Sequence, residues 1–440
     1  MRILVVNAFG RDNRGDAALL SVLLDQLAEA YPGARTEIAG FESPRHWPTF
    51  EAVPNLGSIR HYVGDEEISR LLRVGRKLLA VALAALAATP GSGWALRTLA
   101  RLLPAEVQAE VRALGAADLV VSASGGYLNG RADLPSDLSV FFLLLPLWLA
   151  RRFRVPVVLA PQSFGPFPTR AQRLMMRRVL GSCRRVVARE SISVHRLAAA
   201  GVPTAAVVRG VDSAFAFHSR SRRPWREELG IAPQDRMVLV TAREFLSGQA
   251  QGGYERAMAA AIGHLLGLGC TVVLAPQVTC AFQADDDRIV NARIAALVAD
   301  PRLLVLTDGG VDHHDIFALY QAADLILGTR FHSVIFGLVA RVPCAAVEYD
   351  HKTRGIMADL SLEHWVVPMA EADGPGLIAL LDRLIAEAPA YRSYLEQAIP
   401  GYAAHAAAFV ELLRTEVPAP APGLPEEPAA APSAPQPVAL

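Results

Sequence analysis

Leu325-Ile326-Leu327-Gly328-Thr329-Arg330-Phe331-His332-Ser333-Val334-Ile335-Phe336-Gly337 reads as the end of one element and the start of the next. The three apolar residues form a short buried-strand run. Gly328 lets the chain turn, and Arg330 and His332 then arrive at the start of an apolar helix, where the backbone dipole favours anions. A permanent cation thus stands two residues from a titratable imidazole. Taken alone, a histidine at a helix start is more often a cap or a packed core residue than a catalytic group.

The same strand-to-helix pattern recurs outward from this stretch in both directions. Runs at Ile3–Asn7, Leu119–Ser122, Val155–Ala160, Arg185–Ala188 and Ala205–Val208 read as strands of a first domain. A second set follows at Met237–Thr241, Thr271–Ala275, Leu303–Leu306, Leu325–Leu327 and Cys344–Val347. Short β-branched runs separated by helix-length segments predict parallel sheets wrapped by helices. The polar, basic stretch Phe217–Trp225 separates the sets. The expectation is an α/β protein of two Rossmann-like, doubly wound domains, 1–220 and 221–416, facing a cleft at the carboxyl ends of their strands. From Val417 the chain is Pro, Ala and Glu with few large apolar side chains, so 417–440 is expected to be a disordered tail.

Composition narrows the function. Of 440 residues, 52% are hydrophobic and 20% charged, and 43 basic residues balance 43 acidic ones. No global field draws the chain to nucleic acid, so an anion site must be local. Only Lys77 and Lys352 are lysines among the 43 basic residues, which singles out each of them. The four cysteines, Cys183, Cys270, Cys280 and Cys344, have no metal-ligand spacing and read as reduced core thiols of a cytoplasmic protein. No metal and no cofactor is expected. The N-terminus lacks the pattern of a signal peptide. Two apolar stretches, Leu78–Ala88 and Leu138–Ala150, fall short of the roughly 20 residues that span a bilayer. The first is flanked by Arg70, Arg73, Arg76 and Lys77, a setting for peripheral contact with the inner membrane surface.

The candidate site residues lie at strand ends. Asn13-Arg14-Gly15-Asp16 turns the first strand into a helix that Asp16 is placed to cap; it lacks the G-x-G-x-x-G spacing of a dinucleotide site. Gly125-Gly126 and Gln162-Ser163-Phe164-Gly165-Pro166 are polar loops through which backbone amides approach a ligand, or ordinary turns. Arg189 closes a strand at the cleft mouth. Lys352 follows another strand in Tyr349-Asp350-His351-Lys352, and Glu244 and Ser333 add polar groups. The run Asp285-Asp286-Asp287 reads as a solvated helix N-terminus rather than a metal site.

Taken in order, these pieces resemble the polysaccharide pyruvyl transferases, most closely the colanic-acid type. The matching pieces are Asn13–Ala18, Gly125-Gly126, Gln162–Pro166, Arg189-Glu190-Ser191, Gly210-Val211-Asp212, Arg243-Glu244, Gly328–Ser333 and Tyr349–Lys352 with Gly355-Ile356-Met357. The family pattern usually has Leu where this chain has Phe331.

The resemblance implies a GT-B-like fold, phosphoenolpyruvate as donor, and a sugar or lipid-linked oligosaccharide acceptor presenting two hydroxyls, in exopolysaccharide or cell-surface glycan synthesis. It places Arg189, Arg330 and His332 at the donor site. His332 is expected as general acid/base, Arg330 on the phosphate and Arg189 on the carboxylate. Lys352, Asn13, Gly15, Asp16, Gly125, Gly126, Gln162, Glu244 and Ser333 are expected to bind substrate. The rival readings are a GT-B glycosyltransferase using a nucleotide sugar and an inactive scaffold protein.

Overall fold

The computed structural model describes residues 1–64, 69–88, 91, 94–95, 98, 101, 103–280 and 285–419. The first sheet has seven strands: β1 (Arg2–Ala8), β2 (Arg35–Gly40), β3 (Leu119–Ser122), β4 (Gly125–Leu128), β5 (Val157–Phe164), β6 (Arg185–Ala188) and β7 (Val207–Arg209). They run in the order β2-β1-β3-β5-β6-β7, with β4 beside β5, and every pairing is parallel. The second sheet has six: β8 (Met237–Thr241), β9 (Thr271–Leu274), β10 (Leu304–Val305), β11 (Leu325–Gly328), β12 (Cys344–Glu348) and β13 (Val366–Pro368), in the order β10-β9-β8-β11-β12-β13. These too pair in parallel.

In both sheets the inner strands are apolar on both faces, as a strand covered by helices on each side must be. Val5 and Val6 in β1 and Leu239 and Val240 in β8 are fully buried. Helix α1 (Arg14–Ala30) follows β1, and α2 (Arg70–Ala88) and α3 (Leu134–Arg152) cover the first sheet. Over the second lie α4 (His313–Ala322), α5 (Phe331–Val339), α6 (His351–Asp359) and α7 (Gly374–Ala407). Helix α3 is long and apolar enough by composition to cross a membrane, yet Val140, Phe142, Leu145 and Leu149 fill the first core, the burial expected of a core helix.

Four elements differ from the sequence reading, one of them β13 (Val366–Pro368), which that reading did not include. Strand β2 begins with polar, half-exposed Arg35, Thr36 and Glu37, so its apolar run is too short to stand out. Gly125–Leu128 pairs as a short strand, although its glycines read as loop. Strand β5 continues through Pro161-Gln162-Ser163 to Phe164; the register against β6 shifts between Leu159 and Gln162, as expected where proline has no N–H for the ladder.

The chain crosses back at its end. Helix α8 (Phe409–Glu416) puts Phe409, Val410 and Leu413 into the core beneath β1, although these residues lie in 221–416. Val417 is buried with them, and its carbonyl accepts from the Tyr31 hydroxyl at 2.9 Å, so Val417 belongs to the packed core and not to the expected tail. Residues 420–440 lie outside the described residues.

Candidate active site between the domains

The loop after β1 joins the two halves. Arg14 N donates to Gln277 O at 3.2 Å, and Thr279 N donates to Asp12 O at 2.9 Å. The buried Arg14 guanidinium also donates to Val311 O (2.9 Å), Gly309 O (2.6 Å), Asp12 O (2.7 Å) and the Thr279 hydroxyl. Guanidinium has five N–H donors in a fixed fork, and here three of its bonds tie the first domain to the second. Sequence reading passed over Arg14 because only the assembled domains bring its acceptors together.

Asn13 caps α1: its Oδ1 accepts from Gly15 N at 3.1 Å and Asp16 N at 3.4 Å, while its amide donates to Asp16 Oδ2 at 2.7 Å. This cap orients the Asp16 carboxyl, reversing the expected arrangement in which Asp16 was the cap. The turn carries Gly15 against His332, the second residue of α5. A Cβ built on Gly15 would fall 2.1 Å from His332 Nδ1, so only glycine fits there. His332 is 8% exposed, and its Nε2 is buried without a hydrogen-bond partner.

Two cations complete the cluster. Arg189 is 2% exposed; its Nε donates to the Ser163 hydroxyl at 2.7 Å and its Nη1 to Asp212 Oδ2 at 2.7 Å. Its guanidinium lies 4.6 Å from the centroid of the Phe331 ring, whose neighbour is His332. Lys352 extends from α6, with Nζ 3.2 Å from Asp350 Oδ2. A Cβ at Gly126 would sit 2.6 Å from Lys352 Nζ and 3.5 Å from Arg189 Nη2, so both cations converge on one point beside the bare Gly126 backbone. Gly125, with φ of +155°, supplies the bend that brings this backbone in.

The electrostatics follow from this packing. Burial, reinforced by the Arg189 and Lys352 charges and opposed by Asp212, pushes the His332 imidazole down to about 4. Burial pushes the Asp16 carboxyl up to about 6, against the pull of Arg189 and Lys352. Burial and the Arg189 charge lower Lys352, while Asp350 opposes them. The site therefore holds two cations, a neutral imidazole and a carboxyl poised near physiological pH, with environments that push acid and base apart.

The other expected site residues are engaged within the protein. Arg330 is 5% exposed and fully engaged by two carboxylates: Nε and Nη2 donate to Asp287 Oδ1 at 3.0 and 2.6 Å, and Nη1 and Nη2 to Asp285 at 3.1 and 2.5 Å. The reading of the acidic run as solvated is corrected here, since Asp287 is 1% exposed and also accepts from Gln277 N and Val278 N. Asp286 alone behaves as a helix cap, accepting from Arg288 N. Ser333 donates to Arg330 O and accepts from Thr241, fully buried under the turn. Glu244 pairs with Arg293 at 2.7 Å on the surface. Gln162 is fully buried beside the Tyr127 hydroxyl. Asp212 and Asp350, which hold the two cations, lie in the motif pieces quoted above but carried no signal separating them from other strand-end carboxylates.

Beside the cluster opens a cavity of about 700 Å³, walled by Glu190, Ser191, Phe245, Tyr349, Asp350 and Arg354 among others. The Phe245 and Tyr349 rings lie 4.9 Å apart, and Arg243 stacks over Tyr349 at 4.2 Å.

Residues 13–351 match the model of the polysaccharide pyruvyl transferase family, which spans every element of this cluster except Lys352, the residue immediately after it. The chain belongs to the polysaccharide pyruvyl transferases. Within reach of this family, the amylovoran biosynthesis protein AmsJ of Erwinia amylovora is 26% identical over 379 residues, covering 82% of this chain and 86% of that protein. Solved structures share the architecture at low identity. The UDP-GlcNAc 2-epimerase of Neisseria meningitidis bound to UDP-GlcNAc superposes with a TM-score of 0.59 at 12% identity, covering 94% of this chain and 100% of that one. A putative UDP-N-acetylglucosamine 2-epimerase of Listeria monocytogenes gives 0.58 at 13% identity, over 94% and 95%. At such identity the likeness concerns the fold alone, and it makes this pyruvyl transferase GT-B-like: two Rossmann-like domains across a cleft.

Proposed function

We propose that this protein transfers pyruvate from phosphoenolpyruvate to two hydroxyls of one sugar, forming a cyclic ketal during synthesis of an exopolysaccharide or cell-surface glycan in the cytoplasm. One observation carries the reading: Arg189 and Lys352 converge beside the bare Gly126 backbone, next to a buried imidazole whose Nε2 has no partner. A three-carbon donor bearing a carboxylate and a phosphate matches two cations, since charge-assisted bonds are the strong ones. Membership of the family supports the pyruvyl group, and AmsJ supports a polysaccharide acceptor.

In this scheme Arg189 holds the carboxylate and Lys352 the phosphate, whereas Arg330, occupied by Asp285 and Asp287, fixes the geometry of the turn that carries His332. His332 is kept neutral in the free site by burial first and by the neighbouring cations second; the donor's negative charge favours the protonated form, so the imidazole takes up a proton on binding. His332 then delivers that proton to the methylene carbon, leaving cationic character at the central carbon. One sugar hydroxyl attacks there, losing its proton to Asp16; Asp16 passes that proton to the bridging oxygen as inorganic phosphate departs; the second hydroxyl attacks the cationic carbon left behind, and its proton restores the His332 imidazolium. The sugar or lipid-linked oligosaccharide approaches from the cavity lined by Phe245 and Tyr349.

The test is incubation with labelled phosphoenolpyruvate and a panel of sugars and lipid-linked oligosaccharides. Label is expected in an acid-labile product together with stoichiometric inorganic phosphate. Turnover of a nucleotide sugar in place of phosphoenolpyruvate would refute the donor assignment and favour a glycosyltransferase.

A further inference from the structure

Helix α2 has two apolar faces where a surface helix of a globular protein has one. Ala80 and Leu83 pack into the first core. On the opposite side Leu71, Val74, Leu78 and Val81, spaced three and four residues apart, are 84%, 47%, 65% and 41% exposed. Gly75, Ala82 and Ala85 lie between them on the same exposed face, so no polar side chain interrupts it. A contiguous exposed apolar stripe on a soluble protein marks a binding surface.

The charge of the helix selects the occupant. Residues 70–88 contain Arg70, Arg73, Arg76 and Lys77 and no acidic residue. Lys77, one of the two lysines of the chain, sits half-buried at the border of the apolar face, and Trp94, 70% exposed, follows shortly after the helix. Two copies meeting through this face would bring their cations together with no carboxylate in the helix to pair them. An anionic bilayer supplies both hydrocarbon for the stripe and negative headgroups for a lysine at its border, whose long stem lets the ammonium reach them.

We propose that α2 is an in-plane membrane anchor: Leu71, Val74, Leu78 and Val81 enter the interfacial layer of an anionic bilayer while Lys77 at the border of the stripe contacts its headgroups. Docking of this kind is independent of which donor the site takes. It would hold the cleft at a membrane, where lipid-carried sugars reside.

Flotation of the full chain with vesicles of phosphatidylglycerol and phosphatidylcholine tests it, against vesicles of phosphatidylcholine alone. Binding is expected to the anionic vesicles, weakened by salt, and to fall by about tenfold or more when Leu71→Gln, Val74→Gln and Leu78→Gln are combined. Lys77→Glu supplies an independent arm, expected to weaken anionic-vesicle binding without altering folding. No flotation, equal flotation with neutral vesicles, or variants that float like the parent overturn the proposal. Sedimentation velocity without lipid adds a further check, because a concentration-dependent dimer abolished by the triple substitution would assign the face to a second copy instead.

Discussion

Gly15 and His332 lie face to face, so that a single methyl on residue 15 would overlap the imidazole, 2.1 Å from Nδ1. The contact joins the first helix of one domain to a helix start of the other, making the position of the proposed proton donor depend on how the two halves close. Gly15→Ala should therefore displace the imidazole and, because His332 Cβ also lies only 2.5 Å from the built atom, shift the start of α5 with it. Turnover is expected to drop on the order of 100-fold, the scale of an ångström-sized misplacement, with the melting temperature lowered as well. Steady-state kinetics beside a thermal melt check this; unchanged turnover refutes the positioning.

Arg330 and Lys352 should separate cleanly. Removing Arg330 strands the buried Asp287 carboxylate, and breaking a buried ion pair costs about 3–5 kcal/mol. Arg330→Ala is expected to lose stability by that amount, seen in denaturant unfolding, with activity falling in parallel. Lys352→Ala, whose partner Asp350 is more accessible, should leave the unfolding midpoint close to that of the parent. Its effect belongs in the KM for the donor.

Donor binding should take up a proton. His332 is held neutral in the free site by burial and the neighbouring cations; a bound polyanion favours the charged form. At pH 7 the group thus passes from unprotonated to protonated, and affinity for phosphoenolpyruvate should weaken as pH rises. Calorimetry in buffers of different ionisation enthalpy reads the uptake directly, and His332→Asn should abolish it.

Away from the site, Glu110 is fully buried, with Oε2 accepting from Ile59 N at 2.5 Å, and burial pushes its carboxyl up to about 8 against that bond. A group raised in the folded state binds its proton more tightly there than in the unfolded chain. The stabilisation is complete below the unfolded value near 4.5 and drains away as pH climbs from there to about 8. Glu110→Gln should flatten that loss, raising the melting temperature relative to the parent at pH 8.5 and changing it little at pH 4.5. A parallel decline in both proteins would count against the buried acid.

Most of the fold was written in local chemistry. The apolar runs at Leu119–Ser122, Arg185–Ala188 and Met237–Thr241 coincide with strands to the residue, because a strand covered on both faces must be continuously apolar. Strand β2 escaped notice for the complementary reason, since its exposed first half carries Arg35 and Glu37.

What the sequence determined by itself was the alternation of strands and helices, the glycines at strand ends and the ordered motifs that mark the family. Those are properties of neighbouring residues, and backbone sterics and side-chain burial express them locally. Only the tertiary structure decided how each charge is paired and where it stands. Arg189, Arg330 and Lys352 look alike as strand-end cations, yet Arg330 is held by Asp285 and Asp287, 45 and 43 residues away, while Arg189, paired with Asp212, and Lys352, paired with Asp350, meet across the domain boundary at Gly126. Electrostatic interaction acts through space, so where these charges meet is fixed by how the domains pack and leaves no mark beside them in the chain.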